Sequence, residues 1–161
     1  GVMALDWLNG ARTPLMRQDL TCAVTGLRLG TTCAQMYRAA LESCCFGARK
    51  VIDCYRRGGL TPKRFIAAGG ISKQNPLFMQ ILSDVCGMDI QTCVSAQTGA
   101  LGAAIVGASA SGRCGTLSDC IRRMASGADR VYSPKNEEVY DSLYAKYCAL
   151  YARASESDLC S

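Results

Sequence analysis

An apolar run that ends on two glycines restricts the fold of this chain more than any other stretch. Residues 65–70 read Phe-Ile-Ala-Ala-Gly-Gly, and helical periodicity begins soon afterwards at Asn75-Pro76. This pattern predicts a buried strand, a turn and a helix. Open α/β sheets bind ligands at the carboxyl ends of their strands, where glycine permits positive φ and a close backbone approach. Gly69-Gly70 is interpreted either as a nucleotide-binding edge or as an ordinary tight connection that needs glycine.

Strands and helices alternate along the chain. The periodicity predicts strands at residues 2–5, 65–68, 90–94 and 131–132, and helices at 35–57, 76–86, 100–108, 117–125 and 133–153. The helix at 35–57 is the best defined, because Thr32 and Gln35 form a capping-box pattern and Gly58-Gly59 is a C-cap signature. Such alternation favours parallel pairing with right-handed crossovers. We therefore predict an α/β fold with a small, mainly parallel sheet, and a sublobe rather than a whole enzyme.

The last predicted helix carries four tyrosines at helical spacing. They are Tyr140, Tyr144, Tyr147 and Tyr151. Packing against the core, with the hydroxyls at the solvent rim, is favoured over a stacking platform for bases. The polar residues 154–161 are predicted to form a frayed tail.

The cysteine and histidine content restricts the chemistry. The 161 residues include 11 cysteines and no histidine. Most cysteines lie in apolar periodic segments and none forms a CxxC pair, so we expect reduced thiols in a cytosolic protein rather than disulfides or a zinc site. Without histidine, the chain cannot form a Ser-His or Cys-His nucleophile. No catalytic residue and no metal ligand is predicted.

The charge and hydropathy patterns argue against nucleic acid and membrane. Lys and Arg number 18 against 13 Asp and Glu, a net charge of +5, but the basic residues are scattered rather than gathered in a stripe. No apolar run reaches membrane-spanning length, and the start lacks the pattern of a secretory signal. Because the sequence opens on glycine and enters a strand-like segment at once, we expect a piece of a longer protein.

Several stretches together resemble the FGGY carbohydrate kinases, which have the actin/hexokinase-like (ribonuclease H-like) ATPase fold, and within them the bacterial L-ribulokinase branch. The matching pieces are residues 2–10, 24–32, 36–42 leading to 46–49, 68–73 and 97–104. They keep the family's order and spacing across most of residues 1–152. The Gly-Leu and Gln-Met-x-x-Ala-Ala-Leu-Glu pattern is similar to the second family signature, with Cys22 where that signature usually opens on Gly, Ser or Ala.

This resemblance implies a cytoplasmic kinase that transfers the γ-phosphate of ATP to a ketopentose hydroxyl, that of ribulose, in arabinose catabolism. Residues 1–153 would be the distal part of the C-terminal nucleotide-binding domain. The catalytic Asp, the residues that hold Mg²⁺ and most sugar contacts would lie in the missing N-terminal lobe and upstream segments. The isolated chain is expected to be inactive. Its implied partners are ATP or ADP, the pentulose and that lobe, and a homodimer is one candidate assembly.

The resemblance also implies roles for particular residues. The expected nucleotide-binding residues are Gly69, Gly70, Ile71, Lys73, Gln74 and Asn75. Ile71 would contact the base, and Lys73 would either reach a phosphate or remain a solvated turn lysine. Either Gln74 or Asn75 would offer an amide, and the choice stays open because the turn is one residue longer than in glycerol and xylulose kinases. The small residues 98–104 would pack behind the pocket.

Asp6, Trp7 and Asn9 are the expected substrate-binding residues, since they would border the cleft where sugar and γ-phosphate meet. The other interpretation of Trp7 is a side chain that anchors a loop on the core. Two further functions stay open. The chain could be a stand-alone interaction module for a protein or a nucleic acid, or a structural lobe whose cleft has decayed.

Overall fold

Strands and helices alternate as predicted over residues 1–156, the part of the chain that the computed structural model describes. The elements are β1 (Met3–Ala4), β2 (Val24–Thr25), α1 (Cys33–Arg57), β3 (Phe65–Ala67), α2 (Gly70–Gln74), α3 (Pro76–Cys86), β4 (Ile90–Cys93), α4 (Thr98–Ala110), α5 (Leu117–Met124), β5 (Ala128–Tyr132) and α6 (Glu137–Glu156). The short elements β2 and α2 were not predicted. The predicted helices are all confirmed, with bounds that shift by a few residues.

The strands form two small sheets. β1 pairs with β2 in antiparallel orientation, and β3, β4 and β5 form a three-stranded sheet in that order. β3 is parallel to β4, whereas β5 is antiparallel to β4 and starts opposite Cys93, where β4 ends. The α/β class is therefore confirmed, but the expectation of a mainly parallel sheet is wrong in this detail. The reason is that α4 and α5 pack on each other as a hairpin and return the chain to the end of the sheet that it left.

β3 is half-buried, not fully buried as predicted. Successive side chains of a strand point to opposite faces. Phe65 and Ala67 pack against the core, while Ile66 between them is 54% exposed. β3 also forms an edge of the three-stranded sheet. One face of the strand that leads to Gly69-Gly70 is consequently open.

Local capping interactions set the start of α1 and both ends of α3. The Thr32 side chain accepts a hydrogen bond from the Gln35 amide, and the Gln35 side chain accepts one from the Thr32 amide, which completes the predicted capping box of α1. At α3 the Asn75 side chain accepts a hydrogen bond of 2.9 Å from the Phe78 amide, and Gly87 ends the helix in the left-handed conformation. Both predicted helices are confirmed.

The core lies between α1, α3 and α6. At its centre the rings of Phe46 and Tyr147 lie 5.1 Å apart. All four predicted tyrosines of α6 are buried, so their packing role is confirmed. The hydroxyls of three of them donate to acidic side chains of α1 and of the segment after β1. The hydrogen bonds are Tyr140 to Glu42 at 3.1 Å, Tyr144 to Asp53 at 2.6 Å and Tyr147 to Asp6 at 2.8 Å.

The last helix is longer than predicted. It continues through Glu156, and Ala154 is buried at 6% exposure. The tail predicted to begin at residue 154 therefore starts inside α6, because an apolar side chain there still reaches the core. Residues 157–161 of that predicted tail lie outside the described residues.

Candidate functional site

The turn after β3 has a backbone conformation that requires glycine. Gly69 has φ of 95° and ψ of −178°, a region that is essentially closed to other residues. Gly70 is the first residue of α2 and has no such requirement. A Cβ atom added at either position would meet no heavy atom within 4 Å. The backbone at the carboxyl end of β3 thus faces open space within the described part of the chain.

Ser72 holds this turn in place. Its hydroxyl donates a hydrogen bond of 2.7 Å to the Gly69 carbonyl, and the side chain is buried at 7% exposure. The bond closes a local loop of the kind that serine forms readily near a helix start. The sequence reasoning missed Ser72, although a serine three residues after the strand-ending glycine was a usable signal.

Two exposed side chains lie on one face of α2. Ile71 is 62% exposed, and Gln74 is exposed as well. Residues three apart in a helix are neighbours on its surface. An apolar side chain and a carboxamide are therefore presented side by side, next to Gly70.

Asn75 has a structural role that Gln74 lacks. Its side-chain oxygen caps α3, so that oxygen is already engaged. The Gln74 side chain is exposed. The structure thus distinguishes the two side-chain amides: that of Asn75 caps a helix, and that of Gln74 is exposed.

Lys73 is paired across the sheet. Its ammonium group lies 2.7 Å from Asp129 Oδ2 in β5, with the two side chains 25% and 38% exposed. The hydrogen bond from Lys73 holds the pKa of Asp129 below its ordinary value. The Lys73 side chain is therefore held in an ion pair. Asp129 lies 56 residues from Lys73 along the chain, and no local pattern predicted the pair.

Asp6 and Trp7 lie in the part of the fold built from β1, α1 and α6. Trp7 is buried at 3% exposure, and its ring packs edge-on against Tyr151 with centroids 5.0 Å apart. This is the anchoring role that was the alternative to a sugar contact. Burial raises the pKa of Asp6, although the hydrogen bond from the Tyr147 hydroxyl acts in the opposite direction.

The space beside Asp6 and Trp7 is small. A cavity of about 50 Å³ is lined there by these two residues together with Arg12, Lys50 and others, and residues 69–75 are not among them. Ligand pockets for small molecules usually measure about 300–1,000 Å³. Asn9, the third expected substrate residue, is exposed. The two expected sets of site residues therefore do not share this cavity.

The helix of small residues lies mostly at the surface. In α4 only Ile105 is buried, and the helix packs chiefly against α5. The expectation that residues 98–104 pack behind a pocket is not met within residues 1–156, since these positions are largely exposed or half-exposed. Within the same range, no cluster of three or more His, Cys, Asp or Glu side chains is placed to hold a metal ion. No helix in it is long and apolar enough to cross a membrane.

Known proteins similar to this chain are sugar kinases. Residues 1–111 match the model for the C-terminal domain of the FGGY family of carbohydrate kinases. The chain is 39% identical over 157 residues to the ribulokinase of Bacillus licheniformis, a match that covers 94% of this chain and 28% of that protein. It is 39% identical over 153 residues to the ribulokinase of Mycolicibacterium smegmatis, covering 94% and 27%. The chain thus spans between a quarter and a third of the length of these relatives.

Solved structures of sugar kinases have the same fold. The ligand-bound xylulose kinase of Lactobacillus acidophilus superposes with a TM-score of 0.82 at 24% identity, covering 97% of this chain and 32% of that one. The xylulose kinase of Rhodospirillum rubrum gives 0.76 at 28% identity, covering 95% and 30%. The glycerol kinase of Plasmodium falciparum, solved with ADP, gives 0.73 at 23% identity, covering 99% and 31%. The chain belongs to the FGGY family of carbohydrate kinases and has the actin/hexokinase-like fold of part of their C-terminal domain.

Proposed function

We propose that this chain binds ATP or ADP at residues 69–75, as the nucleotide-binding part of a sugar kinase. The conformation of Gly69 and the open space above Gly69 and Gly70 support this most strongly. A backbone without Cβ atoms admits a flat base or a ribose at closer range than other residues allow. Family membership supports the same role, because kinases take the transferred phosphoryl group from a nucleotide.

The neighbouring side chains have separate roles in this proposal. Ile71 offers an exposed apolar surface to the base, and the exposed Gln74 carboxamide offers hydrogen bonds. Asn75 keeps α3 capped and so positions the turn. Lys73 is held by Asp129, so it contributes a positioned positive charge rather than a mobile arm.

The proposed sugar acceptor rests on the names of the relatives. The two bacterial relatives compared above carry the name ribulokinase, so we propose ribulose as the acceptor, in arabinose catabolism in the cytoplasm. Phosphoryl transfer depends on positioning and on charge neutralisation by Mg²⁺, and an Asp accepts the hydroxyl proton. We assign the base and the Mg²⁺ ligands to other parts of a longer kinase, which leaves this chain inactive alone. Of the three residues expected at the sugar, only Asn9 has an exposed side chain, so a sugar contact in this chain falls to it.

The nucleotide site is tested by titrating the 161-residue chain with ADP in an isothermal calorimeter. We expect saturable binding, and its loss in Gly70→Val. The valine Cβ would point into the open space, where it meets no protein atom within 4 Å, and the side chain would collide with a bound base. Gly30→Val is the matched control, because a Cβ there also meets nothing within 4 Å and the backbone does not need glycine.

Circular dichroism and the thermal midpoint establish that both variants fold. Equal ADP affinity in Gly70→Val and Gly30→Val would show that the nucleotide binds elsewhere. Absence of any heat with the unmodified chain would contradict a nucleotide site formed by this chain alone.

A further inference from the structure

The short helix α2 depends on other elements for its orientation. It has five residues, and two of them, Ile71 and Gln74, are the side chains that we place against the nucleotide. Isolated helices shorter than about 12–15 residues are marginal in water. The Ser72 hydrogen bond to the Gly69 carbonyl stays within the turn. Contacts with other elements therefore fix the direction in which α2 presents its exposed face.

The ion pair between Lys73 and Asp129 is such a contact. The ammonium group lies 2.7 Å from the Asp129 carboxylate in β5. Within residues 1–156, it is the one side-chain hydrogen bond that joins α2 to an element distant in sequence. β4 lies between β3 and β5 in the sheet, so the Lys73 side chain spans the carboxyl end of β4 to reach its partner. The pair thus ties α2 to the far strand of the sheet.

The backbone around Asp129 gives the ion pair a fixed base. On one side, the Arg130 amide donates a hydrogen bond of 3.2 Å to Thr92 Oγ1, and Thr92 is buried at 1% exposure. On the other side, the Val94 amide donates a hydrogen bond of 3.1 Å to the Gly127 carbonyl. Both bonds join the chain segments at the end of β4 and the start of β5. The Asp129 carboxylate is therefore held at a set place on the sheet.

We propose that Asp129 is a positioning residue of the nucleotide site, a role that rests on the function proposed above. It holds the Lys73 ammonium group, and through Lys73 it keeps α2 turned so that the exposed side chains of Ile71 and Gln74 face the nucleoside. Asp129 itself contacts no ligand in this role. Its carboxylate would repel a phosphate, so the ion pair serves recognition of the base and ribose rather than of the phosphates.

The role is tested by titrating the unmodified chain and Asp129→Asn with adenosine and with ADP in a calorimeter. We expect both affinities to fall by the same factor in the variant, about two- to five-fold, the range for a partly exposed ion pair. The factor is the same because the two ligands share the base and ribose that α2 contacts. Asp141→Asn is the matched control, since it breaks an ion pair of 2.6 Å between α6 and Arg49 of α1, and it should change neither affinity.

A double-mutant cycle tests whether the effect passes through Lys73. Lys73→Met removes the ammonium group and should lower the adenosine affinity by the same factor as Asp129→Asn. Adding Asp129→Asn to Lys73→Met should cause no further loss, because the carboxylate then has nothing to hold. Asp129→Glu keeps a carboxylate and should recover most of the affinity. The Lys73 and Asp129 side chains are 25% and 38% exposed, so the variants should fold, as circular dichroism would verify.

Separate outcomes identify which proposal fails. If neither adenosine nor ADP binds to the unmodified chain, the proposed nucleotide site is wrong and the role of Asp129 falls with it. If ADP binds but Asp129→Asn leaves the adenosine affinity unchanged, only the positioning role is wrong. A gain in ADP affinity relative to adenosine in Asp129→Asn would show that Lys73 is a phosphate ligand that Asp129 restrains, which also overturns the positioning role. Additive losses in the double variant would overturn the assignment of Lys73 as the intermediary.

Discussion

At the residue scale, the two adjacent glycines have different physical reasons to be glycine. Gly69 adopts φ of 95° and ψ of −178°, which other residues reach only under strain. Gly70 begins α2, a position where alanine fits the backbone. In our proposal Gly69 serves the turn and Gly70 serves the ligand, since only the space above Gly70 can be filled without strain in the free chain.

Alanine substitutions should separate these two roles. Gly69→Ala should lower the free energy of unfolding by about 1–3 kcal/mol through backbone strain. Gly70→Ala should raise it by about 0.4–1 kcal/mol, because alanine restricts the unfolded chain and suits a helix. Urea denaturation measures both changes, provided that the m-value is the same in each variant. An equal change in the free energy of unfolding for the two substitutions would contradict the backbone conformation described for Gly69.

At the element scale, α3 holds the beginning of α6 through one buried carboxylate. Asp84 is 2% exposed, and its Oδ1 accepts hydrogen bonds of 2.7 Å from the Lys135 amide and 2.9 Å from the Gln80 side chain. The Asn136 side chain donates to the other carboxylate oxygen, Asp84 Oδ2, at 3.2 Å. Burial acts to raise the pKa of Asp84, but these hydrogen bonds outweigh it and hold the pKa below the ordinary 3.8.

Asp84→Asn should therefore destabilise the chain at pH 7. An amide cannot accept on its nitrogen, so at least one donor loses its partner, at a cost of about 1.5–3 kcal/mol. Because the folded-state pKa is depressed, the contribution of Asp84 is complete above about pH 4–5 and is lost as pH falls through the folded value. Denaturation between pH 7 and pH 2 should show this loss in the unmodified chain and a flatter profile in the variant. Asp89→Asn, at an exposed position, is the control and should have little effect.

The α4–α5 hairpin should open more readily than the rest of the fold. Its buried residues, Ile105 and Cys120, are not members of the main core cluster of α1, α3 and α6. Segments with few buried apolar contacts exchange their amide protons at lower free energy than the core does. Hydrogen exchange read by mass spectrometry should show α4 losing protection before α1 and α3. Equal protection would mean that α4 unfolds only with the whole chain.

At the scale of the whole molecule, a buried hydrogen bond joins residues from opposite ends of the chain. The Tyr147 hydroxyl donates to Asp6 across a separation of 141 residues, and Tyr147 is fully buried. This bond ties the segment after β1 to α6. Phe46 of α1 packs against the Tyr147 ring beside the bond. The same kind of contact links Tyr144 to Asp53, but the Asp53 side chain is 30% exposed.

Tyr147→Phe should cost about 1.5–3 kcal/mol of unfolding free energy, because it leaves a half-buried carboxylate without its donor. Tyr144→Phe should cost less, since water can replace the hydroxyl at Asp53. Burial raises the folded-state pKa of Asp6. The free energy of unfolding therefore falls as pH rises through that pKa and Asp6 ionises. Loss of the Tyr147 hydroxyl, which donates to the carboxylate, makes this fall larger. The difference between Tyr147→Phe and the unmodified chain should therefore grow above pH 4 in chemical denaturation. A difference independent of pH would show that Asp6 is not the acceptor that matters.

The sequence by itself determined the features that depend on near neighbours. The capping box of α1, the Asn75 cap and Gly87 stop of α3 and the glycine turn after β3 are set within about four residues, so local patterns account for them. The tertiary structure alone decided which partners distant groups would find. Lys73 pairs with Asp129, Asp84 binds the segment just before α6, and Tyr147 reaches Asp6, because packing of separate elements brings together residues that no local pattern relates. For the same reason, only the fold could show that the Gln74 side chain stays exposed beside Gly70.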